Sequence, residues 1–159
     1  MQDISNYEKI KEDAQNFYKQ IGRVRCPALN NEYVFFASEG FNHLIYKGGR
    51  SERNKAEQIM KFKLLPKAKL IIETSTTFQE YDESLKSIIR KMRKRTITDT
   101  AIVKYWGLVA IIKGFRTKVI IRQIGNGQKY FWSVIPAWAI NQYRNIRTIN
   151  KAKGNPEED

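Results

Sequence analysis

Apolar residues at Tyr7, Ile10, Ala14, Phe17 and Ile21 recur at helical spacing behind a Ser5–Glu8 capping pair, and Gly22 follows. The chain is therefore predicted to open on an amphipathic helix. Arg23-Val24-Arg25-Cys26 and the run from Glu32 to Ser38 flank an Asn30-Asn31 turn, which predicts a loose hairpin. Phe41 to Lys47 reads as a further strand, ended by Gly48-Gly49. A second helix is expected from a Ser51 cap to about Phe62. Pro66 is expected to break it, leaving a short strand over Lys69 to Glu73. A third helix is expected from Phe78 to Lys94.

The last third alternates most clearly. Ala101 to Lys113, Lys118 to Ile124 and Lys129 to Ile135 are rich in Val, Ile, Tyr, Trp and Phe, and Asn126-Gly127 is a hairpin dipeptide. Taken as a two-residue turn, it pairs Arg122 with Phe131 and Gln123 with Tyr130, so that Arg122 shares a face with Phe131 and, diagonally, Ser133. The predicted fold is α+β: an N-terminal helix and further helices packed on a small antiparallel sheet that ends in a C-terminal β-meander. Residues 1–150 are expected to form one domain, and residues 151–159 a polar, flexible tail.

Charge changes this picture more than composition does. Hydrophobic residues at 42% and charged residues at 28% are ordinary for a folded domain, but a net charge of +13 with pI near 9.9 is not. Between Lys86 and Arg122 eleven cations face one acid, Asp99, and between Gly40 and Leu70 eight face Glu52 and Glu57. Such a field steers polyanions and releases counterions when they bind, which points to RNA or another nucleic acid. Arg50, Arg53, Arg90, Lys91, Arg93, Lys94, Arg95 and Lys104 are the candidate phosphate contacts, and Tyr46 and Phe131 the candidate stacking rings. The lone Cys26, a polar N-terminus and the lack of a long apolar run predict a cytoplasmic protein without membrane contact.

Several chemistries lack their residues. One histidine and one cysteine do not make a zinc site, scattered carboxylates do not make a two-metal site, and no phosphate-binding loop motif is present. No metal and no cofactor is expected. RNA needs neither, because its own 2′-OH is the nucleophile and the protein supplies a proton shuttle and cations. His43 is the candidate shuttle; Glu39 and Lys47, four residues to either side, share its face in an extended strand. Arg122, a mid-strand cation, is the candidate phosphate clamp, with Ser133 on its face.

The segments FASEGFNHLIYKGGR, KFKLLPKAKLII, YWGLVAII and KVIIRQIGNGQKYFWSVIP, within a stretch from Tyr33 to Pro136, resemble phage- and mobile-element-associated nucleases of the barnase–EndoU–colicin–RelE superfamily. That resemblance implies a helix-led domain on a four-stranded antiparallel sheet and metal-independent RNA cleavage of the toxin type; a protein inhibitor or a ribonucleoprotein component is the candidate protein partner. His43 matches the family's early histidine, Lys47 and Arg50 the cations after it, and Arg122 and Ser133 the polar positions of the last two strands. No second histidine is present, so Lys47, Glu39, Tyr46 or Ser133 would supply the partner acid or base. The alternatives are a non-catalytic RNA- or DNA-binding module, or an accessory subunit of a ribonucleoprotein assembly.

Overall fold

The structure is a computed structural model that describes residues 6–48, 51–136, 150–151 and 155–159, with only the backbone of residues 90–92 and 150–151. The opening helix, α1 (Tyr7–Ile21), forms as its periodicity predicts, and Gly22 leaves it at φ +63°. Strands β1 (Arg23–Cys26) and β2 (Glu32–Phe35) pair antiparallel across a turn in which Asn30 and Asn31 both take positive φ.

Several local expectations fail where burial or strand pairing outweighs the local pattern. Ser38–Ile45 is a helix, α2, followed by a two-stranded ribbon of β3 (Tyr46–Lys47) and β4 (Ser51–Glu52), so His43 stands on a helix and not in a strand. Phe41, Leu44 and Ile45 have helical spacing and all three are buried. Ser51 belongs to β4, and the cap of α3 (Lys55–Thr74) is Asn54, whose side chain accepts from the Glu57 amide at 2.8 Å. Pro66 lies inside α3 without ending it, and no strand forms over residues 69–73. An interior proline costs ~3 kcal/mol, but Ile71 and Ile72 beyond it are buried, each contributing roughly 1.5–3 kcal/mol. The expected third helix is instead strand β5 (Glu80–Met92), paired throughout with β6 (Arg95–Ile112) about a turn where Arg93 has φ +56°.

The predicted meander is present as β6, β7 (Phe115–Ile124) and β8 (Tyr130–Pro136). With β9 (Asn150–Lys151) the sheet runs β1-β2-β8-β7-β6-β5-β9, antiparallel except where β2 meets β8 and β5 meets β9. The larger core lies between the helices and the sheet face bearing Trp106, Leu108, Val119, Ile121, Phe131 and Val134. The opposite face carries a smaller cluster of Val103, Tyr105, Ile120, Tyr130 and Trp132. Strand β7 pairs with β6 only from Val103 onward, so the far end of the β5–β6 hairpin projects as a two-stranded arm with Leu85 and Ile89 exposed. No helix among the described residues is long and apolar enough to cross a membrane.

Candidate active site

The site forms where two sheet neighbours separate. Strand β2 pairs with β8 at Phe35–Tyr130 alone, then turns into α2, leaving the rest of β8's edge to helix side chains. Gly40 makes the close approach possible, since a Cβ there would lie 2.2 Å from the Phe131 carbonyl oxygen. One helical turn later, His43 is laid on Trp132, ring centroids 3.9 Å apart and planes 18° apart.

A β-bulge aims the strand residues. Ile120 pairs with Ser133 and Ile121 with Phe131, so Trp132 is the extra residue. The bulge turns both Trp132 and Ser133 toward the cleft, while Phe131 enters the main core and stacks on Phe36 at 5.0 Å. It also corrects the predicted register: Arg122 pairs with Tyr130, and the face it shares holds Tyr105, Tyr130 and Trp132. Phe131, fully buried, is not a base-stacking ring.

Arg53, at the approach to α3, holds His43 from behind. Its Nε donates to the His43 carbonyl at 3.0 Å, its Nη1 to Glu57 at 2.8 Å, and its Nη2 lies 3.2 Å from His43 Nε2. Arginine has no acceptor, so Nε2 must accept and the imidazole is the neutral Nδ1–H tautomer. Burial, together with Arg53, Lys61 and Arg122, pushes the His43 pKa down to about 3.

Lys61 reaches the same region from α3. Its Nζ donates to Ser133 Oγ at 3.0 Å and to the Val134 carbonyl at 3.3 Å, an edge group of β8. Burial, reinforced by Arg53, lowers its pKa to about 7. Lys61 therefore exchanges protons near neutrality, which His43 does not. Sequence reading passed over Lys61, although Gln58 and Lys61 were a signal: they share the buried face of α3 with Ile59 and Phe62.

Arg122 completes the wall. Its guanidinium lies 4.4 Å above the Trp132 ring and donates from Nη1 to Tyr130 Oη at 2.6 Å. An acid stands beside it: Nε and Nη2 donate to the two carboxylate oxygens of Glu157 at 3.1 and 2.8 Å. Residues 155–159, expected as part of a flexible tail, are thus seated against the cleft. Glu39, Asn42, His43, Tyr46, Arg122, Trp132 and Glu157 line an open hollow of about 530 Å³. A smaller one beside it is lined by Lys47, Arg53, Lys61 and Asp159.

Of the residues singled out from sequence, His43, Arg122, Ser133, Lys47, Tyr46 and Arg53 come together here, with Tyr46 and Lys47 exposed at the rim. Arg50 lies outside the described residues, as do the side chains of Arg90 and Lys91. Arg93, Lys94 and Arg95 are exposed at the tip of the arm, ~20 Å along β5 from Lys86 by strand rise. Lys104 pairs with Gln123 on the sheet face away from the cleft. Among the described residues, no three His, Cys, Asp or Glu side chains gather as a metal site requires. The chain matches no protein-family model, no curated protein and no solved structure.

Proposed function

We propose that this cleft is the active site of a metal-independent endoribonuclease of the toxin type, on a fold of the barnase–EndoU–colicin–RelE kind. The observation that carries the reading is the convergence of Arg53, Lys61, Arg122 and Ser133 on the oxygens of one acidic segment, with Lys61 itself titrating near neutrality. A phosphodiester offers the same oxygens and charge. Neutral Lys61 takes the proton of the 2′-OH as that oxygen attacks phosphorus. The bond from phosphorus to the 5′ oxygen breaks, and the Lys61 ammonium returns a proton to the departing oxygen. Arg122 and Arg53 balance the charge that grows on the phosphoryl oxygens, and Ser133 donates to one of them. His43 is a positioning residue: its ring fixes Trp132 and Arg53, and its Nδ1–H remains a donor.

One observation favours the second reading, a non-catalytic RNA-binding module. The lone pair that a histidine base would use is taken by Arg53. Incubation with total RNA in excess EDTA separates the two. The nuclease yields fragments with 2′,3′-cyclic phosphate ends, and these disappear in Lys61→Met. Intact RNA that is nonetheless bound would leave the binding module.

A further inference from the structure

The residues that a phosphate would need are already covered. Lys61, Ser133 and Arg53 are 1%, 0% and 6% exposed, and all three donate to oxygens of residues 155–159. Trp132 Nε1 donates to the Pro156 carbonyl at 2.9 Å. The Glu157 carboxylate takes the fork of Arg122 and lies 3.7 Å from Lys86 Nζ. The Glu158 carbonyl accepts from Arg53 at 2.6 Å. A main-chain oxygen of Asp159 accepts from Lys61 at 2.7 Å and from Ser133 Oγ at 2.8 Å.

The segment has its own scaffold. Asn155 closes a turn in which its side-chain oxygen accepts the Glu157 amide at 3.2 Å and its carbonyl accepts the Glu158 and Asp159 amides at 3.1 and 2.9 Å. This presents Glu157 to one seat, Arg122, and Asp159 to another, Lys61 with Ser133. The segment's charge is opposite to that of the cleft, as a stand-in for a polyanion must be.

We infer that residues 155–159 are an intramolecular mimic of two successive phosphates, occupying an Arg122 seat and a Lys61–Ser133 seat, and that a polyphosphate ligand must displace them to bind. The assignment of that ligand as RNA rests on the function proposed above; the two-seat anion site does not. A ligand that binds only the uncovered cleft loses apparent affinity in proportion to the uncovered fraction, so loosening the segment tightens binding.

The test uses two probes, inorganic tripolyphosphate and a fluorescein-labelled single-stranded RNA, and two variants. One is the near-isosteric triple Glu157→Gln, Glu158→Gln, Asp159→Asn; the other deletes residues 155–159. Either variant should bind both probes about fivefold or more tightly than the unaltered protein. Equal or weaker affinity for tripolyphosphate in both variants overturns the inference. Tighter tripolyphosphate binding with no RNA binding by any form leaves the mimic standing and removes the nucleic-acid reading.

Discussion

His43 lies flat on Trp132 at 3.9 Å, while the Nε2 edge of the same imidazole faces Arg53 Nη2 at 3.2 Å. The neutral ring is thereby built into the wall of the cleft. Its pKa, ordinarily 6.5, is held at about 3, so between those values the unfolded chain binds the proton and the folded protein does not. Stability should therefore fall as pH drops from 6.5 toward 3. In His43→Asn this part of the fall should vanish, as read from urea midpoints at pH 4.5 and 7. An equal fall in both proteins would show that the ring is not held neutral.

Lys61 sets the expected pH dependence of cleavage. With a pKa of about 7, its neutral form grows as pH rises through neutrality, and the rate should rise with it. Lys61→Arg keeps the cation and removes the titration. Cleavage should then drop about a hundredfold and the inflection near pH 7 should disappear, while RNA binding persists. An unchanged pH–rate profile would assign the proton transfer elsewhere.

Arg122→Ala should also reduce cleavage on the order of a hundredfold, the scale for one transition-state cation. The side chain is largely buried and bonded to Tyr130, so thermal unfolding should be lowered too. Arg122→Lys keeps charge without the fork and should recover only part of the activity. Full activity in Arg122→Ala would place the clamp on Arg53 and Lys61 alone.

Gly40→Ala should destabilise the fold by about 1–3 kcal/mol or more, because the added Cβ meets the Phe131 backbone carbonyl and the buried Tyr18 hydroxyl, neither of which can move away freely. Calorimetric unfolding reads this directly. Since α2 would be pushed off β8, His43 should also lose its seat on Trp132.

The cationic tip of the β5–β6 arm contributes affinity if it reaches phosphates beyond the cleft. Replacing Arg93, Lys94 and Arg95 with Gln should flatten the plot of log affinity against log salt by about 2, at ~0.7 per phosphate on a single strand. Activity on a dinucleotide, too short to span cleft and arm, should be unaffected. An unchanged salt slope would confine binding to the cleft.

What the sequence determined by itself were the features written in local period and in charge. Helix α1, the Asn30-Asn31 turn and the β6–β7–β8 meander follow from spacing that only one backbone geometry satisfies. The net charge of +13 likewise needs no coordinates. His43, Arg122 and Ser133 were legible as chemistry-bearing residues because each is a polar group among apolar neighbours.

Tertiary structure decided the rest. Residues 80–92 have local helical character, yet β6 offers an 18-residue strand whose backbone groups need a partner, and pairing prevails. Pro66 is a breaker by itself and an interior residue once Ala68, Ile71 and Ile72 are buried beyond it. A single bulged residue, Trp132, reassigned the faces of the last hairpin, because a side-chain period of two makes a one-residue slip exchange core and cleft. Lys61 and Glu157 entered the site only through folding, from positions 72 and 35 residues distant in sequence from Ser133 and Arg122, since charge attracts across space and leaves no local period to read.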